Sequence, residues 1–148
     1  MKVKEIMIKD VFTLSPGMNA KEALDLLAEK KISGLPVVDE NKKLVGMFTE
    51  KEVLARILPT YVEAVGKFIY EENPKAVKQK VISFASFTVE QIMRKNVVTV
   101  NEDATLCEVA HVILTQKARR LPVVNKDSGM VGIVLRGDVI KHLFAEYI

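Results

Sequence analysis

The 148-residue chain has no Trp, a single Cys and only two His. Cys107 alone cannot close an intramolecular disulfide, so cysteine usage gives no sign of an oxidising compartment. Metal ligands are equally scarce. Cys107 and His111 stand four apart, a spacing that two ligands on a helix could use, but His142 is the only other His and no third ligand is evident nearby. No metal site is assigned. No Ser-His-Asp set, P-loop glycine pattern or dinucleotide glycine fingerprint is present, and no catalytic residue is assigned. The six Met are scattered and read as gap-filling core. Long apolar runs are missing too. Nothing approaches the ~20 residues of a membrane span, and the opening MKVKEIMIKDVF offers no signal-peptide stretch. A cytoplasmic location is the expectation.

The chain also lacks an excess of charge. Its 22 Lys+Arg oppose 19 Asp+Glu, and residues 1–58, 59–88 and 89–148 each carry +1 of the net +3. A nucleic-acid module concentrates Lys and Arg on one face or arm, so this even spread argues against duplex DNA or an anionic membrane as the main partner. What the chain does have is 49% hydrophobic content. In a length close to one ordinary domain, that is enough to build a core.

An internal repeat organises the sequence. With a shift of 86, residues 3–58 align with 89–144 without a gap, and 15 of the 56 pairs are identical. Among the identities are Ile6/Ile92, Met7/Met93, Thr13/Thr99, Lys31/Lys117, Pro36/Pro122 and Gly46/Gly132. Gly46 and Gly132 fall in the middle of predicted strands, where a missing side chain usually means that something approaches the backbone closely.

Both repeats read β-α-β-β-α. In the first, Val11 to Leu14 is extended, and a helix runs from about Asn19 to Lys31 with Ala20, Ala23, Leu24, Leu27 and Ala28 at helical spacing. Leu35 to Val38 and Leu44 to Phe48 form a hairpin across residues 39–43, and a second helix starts near Glu50. The second repeat copies this with Val97 to Val100, a helix over Leu106 to Lys117, strands at Leu121 to Val124 and Met130 to Leu135, and a final helix to about Glu146. About 56 residues is a marginal size for an independent core, so the two repeats should pack as one unit.

The organisation is therefore residues 1–58, a helical insert at 59–88, and residues 89–148. The insert holds Tyr61, Phe68, Tyr70, Phe84 and Phe87, five of the nine aromatics, too many for a flexible tether. These five are expected to be largely buried. Val62, Val65 and Ile69 sit at helical spacing. Asn73-Pro74 then starts a further helix with Val77, Val81 and Phe84, and Thr88 with Gln91 forms a capping box.

With the repeats aligned, the chain resembles a tandem pair of cystathionine β-synthase (CBS) domains, the arrangement called a Bateman module. The resemblance rests on Ile6-Met7 and Ile92-Met93, the Val-x-Thr pieces at 11–13 and 97–99, LPVV at 35–38 and 121–124, and VGMFTEKEV at 45–53 with VGIVLRGDV at 131–139. It covers everything except the insert. It implies an α/β (α+β) fold in which the two repeats pack with pseudo-twofold symmetry. Clefts between them would bind adenine nucleotides or related adenosyl compounds, and two chains would associate into a flat disc.

The family's ligand motif is Gly-h-x-Thr/Ser-x-x-Asp, with h apolar. In such a site the Asp accepts from both ribose hydroxyls, the hydroxyl residue and the helix N-terminus meet phosphate, and extended backbone reads the adenine edge. Repeat one keeps Thr49 but has Glu52 for Asp. Repeat two keeps Asp138 but has Leu135 for Thr. The resemblance thus points to Asp138, Val97, Thr99, Leu121, Ile133 and Val134 in repeat two, with Arg119 and Arg120 as phosphate partners. In repeat one it points to Thr13, Ser33, Gly34, Leu35, Thr49 and Glu52. Purely structural roles compete. Thr49-x-x-Glu52 is also the signature of a helix capping box. An acidic Asp138 is stabilised by a helix dipole without any ligand, and Thr13 and Thr99 are good strand residues.

The leading expectation is a non-catalytic regulatory module, with no required cofactor, that senses AMP, ADP, ATP or S-adenosylmethionine and signals to an unidentified client protein as a homodimer. A dimerisation or interaction module with decayed nucleotide sites is the alternative. Nucleic-acid binding through Lys117, Arg119 and Arg120 is disfavoured by the even charge.

Overall fold

Apolar residues recurring at matched positions give each repeat the same run of elements. In the computed structural model, which describes residues 1–58 and 74–148, repeat one forms α1 (Ala20–Lys30), β1 (Gly34–Val38), β2 (Leu44–Thr49) and α2 (Glu50–Ile57). Helices α3 (Pro74–Phe84) and α4 (Val89–Ile92) follow. Repeat two then forms β3 (Val100–Asn101), α5 (Leu106–Gln116), β4 (Arg120–Val124), β5 (Met130–Leu135) and α6 (Arg136–Tyr147). The fold is mixed α/β. Strands β1 and β2 make one sheet; β3, β4 and β5 make another in that order, with β3 parallel and β5 antiparallel to β4. Among the described residues no helix is long and apolar enough to cross a membrane.

The extended pieces expected at 11–14 and 97–100 are shorter than predicted. The first is a single parallel bridge between Leu14 and Val37, and the second is the two-residue β3. The Leu14 N–H donates to the Pro36 carbonyl at 2.9 Å.

Local chemistry sets the helix ends. Asn19 Oδ1 accepts from the N–H groups of Lys21 (2.9 Å) and Glu22 (3.1 Å), and Thr105 Oγ1 accepts from Glu108 N–H (3.2 Å). At the other ends Lys31 and Lys117 adopt left-handed backbone, φ 55° and 53°, and close α1 and α5. Lys117, like Lys31, thus occupies a helix-stop position. The Thr88–Gln91 capping box forms at α4 as expected, with Thr88 N–H donating to Gln91 Oε1 at 2.9 Å.

The described residues gather into two compact units. The first holds Thr13–Val37 with the described part of Val45–Lys95; the second holds Met1–Phe12, Val38–Leu44 and Asn96–Ile148. Leu14, Leu27, Val37, Phe48, Phe84 and Val89 lie in the core of the first. Val3, Val109, Leu121, Val123, Val134 and Val139 lie in that of the second. The lead-in to each repeat thus belongs with the body of the other. In the second unit Ile8 and Ile133 exchange N–H···O bonds of 2.8 and 2.9 Å. In the first, Arg94 and Met47 exchange two of 2.9 Å. The two bridges are equivalent under the 86-residue shift.

The strand glycines make these bridges possible. A Cβ on Gly132 would lie 2.7 Å from Met7 Sδ and 2.9 Å from the Ile8 carbonyl oxygen; one on Gly46 would lie 2.5 Å from Met93 Sδ and 2.9 Å from the Arg94 carbonyl oxygen. The sequence identities Met7/Met93 and Gly46/Gly132 are the two sides of one contact, made twice.

In the insert, α3 begins at Pro74 as predicted. Phe84 is buried and Phe87 is half-buried under the Arg56 guanidinium, 4.9 Å from the ring centre. Along this helix Val77 is half-buried and Val81 is exposed. The expectations for Tyr61, Val62, Val65, Phe68, Ile69, Tyr70 and Asn73 lie outside the described residues.

Charge reinforces the lead-in of the second unit. Lys4 Nζ lies 2.9 Å from Asp103 Oδ1, and Lys2 Nζ 3.7 Å from the same oxygen. The hydrogen bond and charge of Lys4 hold the Asp103 carboxyl below its ordinary 3.8, and Asp103 holds the Lys4 ammonium above its ordinary 10.5.

Two outcomes follow. Gly132→Ala should destabilise the protein by about 1 to 3 kcal/mol, the cost of overpacking against a fixed carbonyl, read as a lower urea midpoint. The Lys4–Asp103 contribution to stability should be present above the ordinary carboxylate pKa and be lost as pH falls through the depressed value. It should also be lost at the alkaline end, as pH rises through the raised Lys4 value. An NMR titration of Asp103 should give a midpoint below 3.8 that moves back toward it in Lys4→Met.

Candidate ligand-binding site

The candidate residues fall into two sets, one in each unit. Repeat one's set lies in the first unit. Ser33 precedes β1 and Gly34 starts it, and the Ser33 carbonyl accepts from the first N–H of α2, that of Glu50, at 2.9 Å. This brings the start of β1 against the end of β2. A Cβ on Gly34 would meet Thr49 Cγ2 at 2.6 Å, so Gly34 makes room for Thr49. Leu35 is buried and Thr13 is half-buried beside the Leu14 bridge.

Thr49 and Glu52 do meet, though not as a capping box. The Thr49 side chain accepts no N–H of α2. Its hydroxyl donates to Glu52 Oε2 instead, while Glu52 Oε1 receives Arg94 Nη1 at 3.3 Å. The Glu52 side chain is only 13% exposed, and this double engagement compensates the burial of its charge. The capping expectation fails because a long-range cation and a neighbouring hydroxyl take up the carboxylate that the local pattern assigned to the backbone.

Repeat two's set lies in the second unit. The Arg119 carbonyl accepts from Arg136 N–H at 2.9 Å, and Arg120 pairs with Leu135 across the β4–β5 ladder. Arg119, Arg120 and Arg136 therefore start from one end of the sheet, where Asp138 sits in the first turn of α6. Asp138 is half-buried, and its carbonyl lies 2.8 Å from His142 Nδ1. Val97 and Thr99, both half-buried, lie in the irregular stretch before β3. Leu121 and Val134 are cross-strand partners with buried side chains, so any polar contact they make with a ligand would be through backbone. Ile133 spends both of its backbone groups on Ile8.

The residues that sequence reasoning missed are Arg94 and Arg136. Arg94 follows the repeated Ile-Met where repeat one has Ile8, and Arg136 stands where repeat one has Glu50. Both departures are visible only once the bridges show what those positions face. Cys107 and His111 lie on an exposed face of α5, and among the described residues no group of three or more potential ligands gathers that could hold a metal ion.

Comparison with known proteins fits this construction. A CBS domain profile matches residues 3–59 and again 89–145. The chain is 32% identical over 140 residues to the inosine-5'-monophosphate dehydrogenase of Methanocaldococcus jannaschii, an alignment that takes in 95% of this chain but 23% of the enzyme. It spans less than two thirds of the length of the first curated relatives it matches. Among solved structures it is similar to CBSX2 of Arabidopsis thaliana in complex with AMP, with TM-score 0.73, 28% identity, and coverage of 99% of this chain and 98% of that one. It is also similar to the CBS domain pair of protein MJ0100 in complex with 5'-methylthioadenosine and S-adenosyl-L-methionine, with TM-score 0.67, 29% identity, and coverage of 100% and 98%. Two profile matches, placed on two copies of one arrangement of elements, establish that the chain belongs to the CBS domain family as a tandem CBS pair.

Proposed function

We propose that this CBS pair is a non-catalytic regulatory module that binds an adenosyl ligand and passes its bound state to a client protein. The observation that carries the reading is the gathering of Asp138, Arg119 and Arg120 at one end of a single sheet, in a chain similar over its whole length to CBS pairs solved with AMP and with S-adenosylmethionine. The Asp138 carboxylate accepts from both ribose hydroxyls, and backbone around Val97, Thr99 and Leu121 reads the adenine edge. Signalling follows if the ligand binds one arrangement of the module better than another, since only differential affinity shifts a population. The module works in the cytoplasm, with neither nucleic acid nor membrane as its partner, in keeping with its evenly spread charge.

The module acts as a homodimer. Exposed apolar residues support this: Leu54 on α2 and its repeat equivalent Ile140 on α6 are more than half exposed, as is Phe144. The competing reading, an interaction module without ligand, is favoured by one observation, the occupation of Glu52 by Thr49 and Arg94.

Calorimetry with AMP, ADP, ATP and S-adenosylmethionine decides between the two. Asp138→Asn should weaken nucleotide binding by about 1.5 kcal/mol or more, the scale of a charged hydrogen bond, with the melting temperature nearly unchanged. A wild-type protein that binds none of the four at millimolar concentration would instead establish the interaction module. Light scattering at micromolar concentration should give twice the chain mass; a mass of 16.6 kDa contradicts the dimer.

A further inference from the structure

We infer that the two repeats have opposite roles: repeat one's acidic position is sealed by an internal ion pair, and repeat two alone takes ligand, a phosphorylated one, at one per chain. This rests on the adenosyl-binding reading above and assigns it a location and a ligand charge.

The sealing is visible in the first unit. Glu52 occupies the motif's acid position, yet one carboxylate oxygen receives the Thr49 hydroxyl and the other the Arg94 guanidinium, whose backbone is fixed by the two hydrogen bonds to Met47. To hold a ribose, Glu52, whose side chain is largely buried, would have to give up its contact with the Arg94 cation. Under the 86-residue shift the partners of Asp138 at the same two positions are Leu135 and Ile8, the latter fixed by the matching bonds to Ile133. Neither side chain can donate a hydrogen bond. The second unit therefore repeats the backbone of the arrangement without the lock.

The surrounding charge differs in the same direction. Where repeat two has Arg119, Arg120 and Arg136, repeat one has Ser33, Gly34 and Glu50. The Arg136–Arg119 backbone bond and the Arg120–Leu135 pairing bring those three positions together. Three arginines whose backbones start at the end of the sheet that carries Asp138 suit a ligand with a hydroxylated sugar and an anionic tail. They disfavour S-adenosylmethionine, whose sulfonium and ammonium outnumber its carboxylate.

Calorimetry on the full chain with ATP, S-adenosylmethionine and adenosine as probes, beside thermal melts, tests this. One ATP per chain is expected, with S-adenosylmethionine bound at least tenfold more weakly. Arg119→Ser combined with Arg136→Gln should weaken ATP at least tenfold and leave adenosine unchanged. Arg94→Met should lower the melting temperature without altering ATP affinity, and adding Glu52→Gln to it should cause no further loss. Two ATP per chain, S-adenosylmethionine binding as tightly as ATP, or an Arg94→Met protein that melts like wild type would overturn the inference while leaving adenosyl binding intact. Failure of all three probes to bind would remove the adenosyl reading itself, and the assignment of ligand to repeat two with it.

Discussion

The close approach of a methionine and a peptide carbonyl to a strand glycine is the contact on which the rest of this structure depends. It occurs at Gly132 with Met7 and Ile8, and at Gly46 with Met93 and Arg94. Each contact lets an extended lead-in add an antiparallel bridge to the second strand of a hairpin. Because each lead-in comes from the sequence start of the other repeat, neither repeat's residues complete a core alone. Val3 and Val89, one from each lead-in, are fully buried, and full burial of a Val contributes about 1.5 to 3 kcal/mol. That apolar gain outweighs the exposed charge pair that accompanies the lead-in at Lys4, since surface ion pairs contribute little.

The same bridges determine what surrounds each acidic residue. The residue after Met7 or Met93 is held by paired backbone bonds to the strand, so its side chain is a fixed feature of the unit. Arginine there supplies Glu52 with a cation; isoleucine in the equivalent place supplies Asp138 with none. Differences at a few repeated positions, Thr49/Leu135 and Arg94/Ile8 around Glu52/Asp138, thus give one member of a duplicated arrangement an ion pair that the other lacks. Duplication supplies two copies of a scaffold, and the side chains laid on it decide which copy's acidic residue is paired within the fold. Under the proposed reading such a pair would respond to one ligand, with its output limited by how much better that ligand binds one conformation than another.

Much of this was legible in the sequence. The ungapped repeat, the order of elements and the meaning of the mid-strand glycines follow from local patterns, and apolar periodicity placed most helix and strand limits within a residue or two. The Thr49-x-x-Glu52 pattern misled because it reports only local options. The competing partner, Arg94, lies 42 residues away along the chain. Thr105-x-x-Glu108 shows the local chemistry working as written, with the Thr105 hydroxyl accepting Glu108 N–H. The helix-stop position shared by Lys31 and Lys117 became visible only with their left-handed backbone, and the gathering of Arg136 with Arg119 only with a hydrogen bond between strand start and helix start. In each case the missing information was which distant segment faces a given position.

The most direct measurement of the functional asymmetry is a residue-resolved NMR titration of the full-length chain with ATP. Saturable shifts confined to Asp138, Arg119, Arg136 and the stretch from Val97 to Thr99, with Thr49, Glu52 and Arg94 undisturbed, are the predicted result. Shifts centred on Thr49 and Glu52, or equal shifts in both repeats, would contradict it.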